Sequence, residues 1–327
     1  MFATRFKLLV AAFFQAALLC MPTLSPAQSF PVKPVRYVVA FAAGDSPDIV
    51  ARLVAERLGR MWNQQVLVEN RVGAGGTIAA AYVAKAPADG YTLFHCNIAS
   101  SAIAPVLYQK LSYDALRDFA MVSRIATTSN VLLVHPSLPA TSIAEFVALA
   151  KARPGAISYG SPGVGSSPHL SMELFKLATR IDVLHVPYKG ASPAAADLIG
   201  GQIPVMLANL PAMLPHVLSG KARALAVTSA RRSTQLPAVP TVVESGIPGY
   251  VVTSWYGMCT PAGTPQPVLE KLHADLTRTL QAPDLQQKLG ELVIDVAPTS
   301  RDEFTAFIRS ELDRWAKVVK DAGIPLQ

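Results

Sequence analysis

"FAAGDSPDIVARLVAERL", Phe41–Leu58, leads from an apolar β-branched run through a turn of small residues into a helix. Upstream, "VRYVVAF" (Val35–Phe41) reads as a buried strand. Downstream, Ile49, Val50, Leu53, Val54, Leu58 and Met61 recur at helical spacing. Ser46 suits the N-cap and Pro47 the first helical position, while Asp48 lies in the first turn, where the helix dipole favours a negative charge. Strand, small-residue turn and capped helix open a βα unit. "QVLVEN", the glycine-rich "RVGAGG", an alanine-rich helix over Thr77–Lys85, the turn "APADG" and the strand "YTLFHC" continue it. The succession predicts βαβαβ around a parallel sheet.

A second alternating series begins with the long strand pattern Met121–His135. It runs through the helix of "SIAEFVALAKARPG", the strand "ISYGS", a helix over Pro168–Thr179, the strand "VLHVPY", a helix through "SPAAADLIGG", the strand "IPVMLAN", a helix ending near Gly220 and the strand "RALAVTS". Near Thr253 the strand-like "VVTSWYGMCTPAG" follows, and three helical patterns (Pro265–Gln281, Asp284–Leu289, Arg301–Ala322) close the chain. The expected fold is α/β with two lobes, each a mostly parallel sheet flanked by helices, joined by two crossing strands near Ser129 and Ser254. The first lobe comprises residues 28–128 and 254–327 and the second residues 129–253. A chain of this length exceeds what one core usually serves.

The leading segment is excluded from that fold. "MFATRFK" carries Arg5 and Lys7, "LLVAAFFQAALLCM" is an uncharged apolar run of 14 residues, and Ser25 and Ala27 occupy the −3 and −1 positions of a cleavage site. Residues 1–27 therefore read as a cleavable signal peptide, too short in its apolar part to span a membrane, and export of the mature protein is expected. Without Arg5 and Lys7, 27 basic residues face 22 acidic ones, a net charge of +5. This mild basicity fits a protein that handles anions and equally fits a solvated surface. No basic run or aromatic-interleaved basic stripe points to nucleic acid. Two cysteines remain, Cys96 and Cys259, on strand-like stretches. Export permits a bridge that geometry alone decides, and two buried free thiols are the expectation.

Two turns carry the candidate chemistry. The small residues ahead of Ser46 let a ligand approach backbone N–H groups at a positive helix end. In the second lobe, "YGSPGVGSSPHLSMELF" passes from a strand through Ser161, Gly163, Gly165, Ser166 and Ser167 into another helix with proline in its first turn, Pro168. Gly and Ser there supply N–H and hydroxyl donors for a carboxylate or phosphate. Tyr188, Lys189 and Asn209 end two further strands, Asn97 ends one in the first lobe, and His169 sits one turn inside the second loop. Open α/β sheets gather ligands at such strand ends. Neither dinucleotide fingerprint nor P-loop is present, no serine has the GxSxG frame, and six histidines are scattered without metal-ligand spacing. No cofactor and no metal are expected.

In the order "FAAGDSPDIVAR", "VENRVGAGGTIAA", "APADGYTL", "YGSPGVGSSPHLSMELFK", "HVPYKGASPAAADLIGGQI", "GKARALAVTS" and "VPTVVESGIPGY", the mature chain resembles the Bug family, the periplasmic solute-binding proteins of tripartite tricarboxylate transporters. The resemblance implies a two-lobe fold of type II-like periplasmic binding proteins that closes on a small carboxylated solute and hands it to membrane transporter subunits. It places Ser161, Gly165 and Ser166 in an anion nest, Phe41, Ala43 and Asp48 along the first lobe, and Tyr188 and Asn209 in the wall; the strand-end and loop positions of Asn97 and His169 put these two in reach of the same cleft. No chemistry on the solute and a monomeric state are expected. Two positions depart from the family pattern: Asp45 stands where a second glycine is usual, and Asn209 where aspartate is common. Asp45 either faces the cleft, disfavouring dianions and suiting an ammonium, or turns outward as a turn-former. Competing readings are an exported α/β hydrolase using a cleft serine and a ligand sensor read by a membrane kinase.

Overall fold

Val35, Tyr37, Val38 and Val39 are fully buried while Arg36 between them is exposed, the composition of a strand covered on both faces. This strand, β1 (Val35–Val39), lies between β2 (Val66–Asn70) and β3 (Thr92–Asn97), parallel to both, with Val39 opposite Asn70 and His95. The computed structural model describes residues 30–321 and 323–327. The expected signal peptide over residues 1–27 and the expected last helical residue, Ala322, lie outside them.

Helix α1 (Ser46–Trp62) crosses from β1 to β2 and buries Val50, Val54 and Leu58, one apolar stripe at four-residue steps. Helix α2 (Thr77–Ala84) returns to β3, and a wide helical turn (Ala99–Ile103) leads into the short α3 (Ala104–Leu107). The 16-residue strand β4 (Phe119–Val134) follows. The second series follows it: α4 (Ile143–Ala152), β5 (Ser158–Ser161), α5 (Ser167–Thr179), β6 (Leu184–Pro187), α6 (Ala191–Ile199), β7 (Val205–Asn209), α7 (Leu210–Leu218) and β8 (Arg223–Val227). Strand β9 (Thr253–Pro261), helices α8 (Gln266–Leu280) and α9 (Pro283–Glu291), strand β10 (Asp295–Val296) and helix α10 (Arg301–Asp321) complete the chain.

Strand order is β2-β1-β3-β9-β4-β7-β5-β6, with β8 and β10 also on β4. The sequential βα units pair in parallel, whereas β9 is antiparallel to β3 and β4, and β4 is antiparallel to β7 and β8. The sheet is thus mixed at its middle, where β4 passes from one series of strands to the other and β9 re-enters the first. The C-terminal helices return to the first series. Trp255 of β9 and Trp315 of α10 both donate their indole N–H to buried Glu311, at 3.0 and 3.3 Å, and Trp62 of α1 donates to Asp275 of α8 at 2.7 Å.

Cys96 of β3 and Cys259 of β9 are joined in a disulfide, their Cα atoms 6.1 Å apart, which corrects the expectation of two free thiols. The two strands are hydrogen-bonded neighbours, with Cys96 opposite Gly257 and Cys259 opposite Phe94. Adjacent antiparallel strands bring side chains at this offset within disulfide reach, a pairing invisible across 163 residues of sequence. Among the described residues no helix is long and apolar enough to cross a membrane.

Candidate functional site

The turn after β1 is held from below. Asp48 accepts from the Gly44 amide and Arg52 Nε through Oδ2, at 2.9 and 2.8 Å, and from Asn70 Nδ2 through Oδ1 at 2.8 Å. Asn70 also donates to the Phe41 carbonyl at 2.8 Å. Burial would raise the Asp48 carboxyl, but the hydrogen bonds from Arg52, Asn70 and Gly44 outweigh it and hold it below the usual carboxylate range. Asp48 therefore shapes the loop and makes no part of the cleft wall, and Ala43 at the loop tip is exposed.

Asp45, one residue earlier than the sequence places it, is the N-cap of α1, and its side chain makes no capping bond to its own helix. It reaches instead to the N-terminus of α6, where Oδ1 accepts from the Ala191 amide at 2.9 Å. The N-cap of α6 is Gly190, which has no side chain to do this. Asp45 is 2% exposed. Burial pushes its carboxyl up to about 6, against the pull of the Ala191, Ser192 and Ala42 backbone and with the nearby charge of Asp48 adding to the rise. Of the two orientations considered from sequence, the outward one does not describe it: Asp45 is turned inward, lining the cleft and reaching across to the other strand series.

The second loop is largely self-satisfied. Ser161 Oγ pairs with His185 Nε2 at 2.7 Å, the Gly165 amide donates to His169 Nδ1 at 3.2 Å, and the Tyr188 hydroxyl donates to Asp197 at 2.6 Å. The rings of His169 and His185 stack with centroids 4.2 Å apart. Burial pushes these imidazoles down to about 4 and about 3, so both are neutral near pH 7. Ser166 is the N-cap of α5: its hydroxyl accepts from the His169 amide at 3.3 Å and donates to the Gly163 carbonyl at 2.7 Å.

Between the two loops lies a cleft, and four helices of eight or more residues begin on it: α1 at Ser46 and Pro47, α5 at Ser167 and Pro168, α6 at Ala191, and α7 behind its N-cap Asn209. Aligned peptide dipoles make each of these ends electropositive. Phe41, Asn97, Pro162, Ser254 and Tyr256 complete the wall, in which Asp45 is the sole charged side chain. Beneath it, Asn209 Nδ2 donates to Asn130 Oδ1 and Ser254 Oγ, each at 2.6 Å, and Asn130 Nδ2 donates to Ser167 and Ser171. Against this satisfied network, four buried polar atoms of wall residues lack a hydrogen-bond partner: Asp45 Oδ2, Ser46 Oγ, Asn97 Nδ2 and Tyr256 OH. The Ser46 and Tyr256 hydroxyls neighbour one another without an aligned hydrogen bond. Buried polar groups are ordinarily paired, so this concentration marks where a polar guest fits.

Of the residues singled out from sequence, Phe41, Asp45, Asn97, Ser166 and Asn209 meet at this cleft. Ser161, Gly165, His169 and Tyr188 bond within the second series, and Asp48 and Ala43 lie off the wall. Ser46 as a wall donor, Ser254 and Tyr256 went unread, although "TSWYG" at the start of β9 offered a signal: polar side chains on a strand otherwise bound for the core. Among the described residues no cluster of His, Cys, Asp and Glu suits a metal ion.

The family model described as the tripartite tricarboxylate transporter family receptor matches residues 50–324. Protein BugT of Bordetella pertussis is 36% identical over 329 residues, covering 99% of both chains. Among solved structures, R. palustris Rpa4515 with adipate gives a TM-score of 0.88 at 39% identity, over 90% of this chain and 99% of that one. MatC from Rhodopseudomonas palustris with bound malate gives 0.85 at 32%, over 89% and 100%.

Proposed function

Since the chain belongs to the tripartite tricarboxylate transporter receptor family, whose members are solute-binding proteins of the periplasm, we propose that it captures a small carboxylate in this cleft and delivers it to membrane transporter subunits without altering it. The observation that carries the reading is the convergence of four helix N-termini on one cleft whose wall holds no cationic side chain. Such a cavity grips an anion through main-chain dipoles and neutral donors, and Ser46, Asn97 and Tyr256 each bring an unpartnered polar group to it. The adipate and malate held by two relatives support the carboxylate class.

In this reading residues 28–128 with 254–327 form one lobe and residues 129–253 the other, hinged where β4 and the start of β9 cross. The two crossings are tied by Thr228, whose hydroxyl donates to the Val252 carbonyl at 2.6 Å and accepts from the Asn130 amide at 2.9 Å. Residues 1–27 direct export and are removed, and the mature protein acts as a monomer. The contact resembling a nucleophile pair, Ser161 with His185, is fully buried at the serine and lies off the cleft wall, which supports carriage without turnover.

The test is native mass spectrometry of the protein as purified, followed by thermal shift with mono-, di- and amino-carboxylates. A true ligand at one hundred times its Kd stabilises by about 2.7 kcal/mol and is recovered unchanged. No shift with any carboxylate, or recovery of a chemically altered acid, overturns the proposal.

A further inference from the structure

The cleft wall presents two kinds of unpartnered group. Ser46 Oγ, Asn97 Nδ2 and Tyr256 OH are donors, joined by the electropositive ends of α1, α5 and α7. Asp45 Oδ2 can only accept while ionised, and it belongs to the wall's sole charged side chain, 2% exposed. Its sister oxygen is already engaged by the Ala191 amide, so the carboxylate is fixed in place and covers the N-terminus of α6 that a ligand carboxylate would otherwise reach. The nearest other acid, Asp48, is committed to Arg52, Asn70 and Gly44.

We propose that Asp45 is the counter-charge for an ammonium group on the captured solute, so that the cleft selects amino carboxylates over the same acids lacking the amine. The inference rests on the carboxylate capture proposed above and narrows its class. A carboxylate end meets the donors and helix ends, and an ammonium end supplies Asp45 Oδ2 with the hydrogen bond it lacks. A second carboxylate brought to that place sets two like charges in a site screened from water and leaves both without donors. Sites built around a buried polar group reject analogues that leave it unpaired far more strongly than sites that discriminate by shape. At pH 7.5 Asp45, held at about 6 by burial, is ionised and ready for this role.

The measurement is isothermal titration of the purified protein, stripped of endogenous ligand, at pH 7.5 with matched pairs: alanine and propionate, aspartate and succinate, glutamate and glutarate. The aminated member of at least one pair binds at least tenfold tighter than its partner. In Asp45→Asn that ratio falls at least tenfold, and in Asp45→Gly, where the charge and its reach are both gone, preference moves toward the dianions. Equal or tighter binding of the acids lacking an amine across all pairs overturns the inference while leaving carboxylate capture standing, as does a preference for the amine that survives Asp45→Asn. If either variant fails to fold, the wild-type pairs still decide. Failure of every acid to bind, with none found by native mass spectrometry, overturns carboxylate capture itself and this inference with it.

Discussion

Asp45 is the residue at which this chain's own chemistry is concentrated, and its titration makes a prediction about stability. Its carboxyl stands at about 6 in the folded protein against 3.8 for an ordinary aspartate. The folded state therefore holds the proton more tightly than the unfolded chain, and the associated stabilisation is complete below about pH 4 and lost as pH rises through about 6. The gap corresponds to about 3 kcal/mol. Asp45→Asn removes the titration, so in urea unfolding of ligand-free protein the variant gains on the wild type by about 1 to 3 kcal/mol between pH 4 and pH 7.5. A difference that stays constant over that range would mean the charge is hydrated in the folded state. Ser166 gives a second prediction at this scale. It caps α5 and lines the cleft, so Ser166→Ala loses about 1 kcal/mol of stability and weakens carboxylate binding by about 1 to 2 kcal/mol. Titration calorimetry with unchanged Kd would separate the cap from the ligand.

At the scale of elements, the approach of the first loop to helix α6 depends on Gly190. Its φ is +124°, and a Cβ there would come within 2.9 Å of Ala42 Cβ and 3.0 Å of Asp45 Oδ2. Gly190→Ala is expected to leave far-UV circular dichroism unchanged and to weaken ligand binding about tenfold or more, because the loop and the helix end can no longer meet. Wild-type affinity in that variant would show that their contact is dispensable. The elements themselves were legible because their signals are local: the stripe of Val50, Val54 and Leu58, the β-branched run of β1, and Pro47 and Pro168, which fix both helix starts at Ser46 and Ser167. What the sequence withheld is what local signals cannot carry. Asp45 finds its partner at Ala191, and Cys96 finds Cys259, only once the sheet order is set. The Gly- and Ser-rich stretch from Ser161 to His169 announces donors, yet which of them stay free depends on His185 arriving from the next strand to take Ser161.

For the whole molecule, the state seen here draws the two strand series together across the cleft. Asp45 reaches Ala191, and the Gly75 position is so close to the Val164 carbonyl that a Cβ there would lie 2.8 Å from it. One of these contacts is a buried ionised carboxylate with an unpaired oxygen, which opposes closure without a guest. A solute that touches both sides only when they are together stabilises that arrangement by the difference in its contacts. Moving the balance from 1:99 to 99:1 takes about 5.5 kcal/mol of differential binding, within reach of a few charge-assisted hydrogen bonds at about 1.5 to 3 kcal/mol each. Small-angle scattering should then give a larger radius of gyration for stripped protein than for protein saturated with its acid, and the saturated curve should match the structure described here. Asp45→Asn tests the balance from the other side: relieved of the buried charge, the stripped variant should scatter as a more compact particle than the stripped wild type at pH 7.5, with the two converging at pH 4.5. Identical curves for stripped and saturated wild type would mean that the cleft is already shut before the solute arrives, and capture would then have to proceed by opening a loop rather than by swinging a lobe.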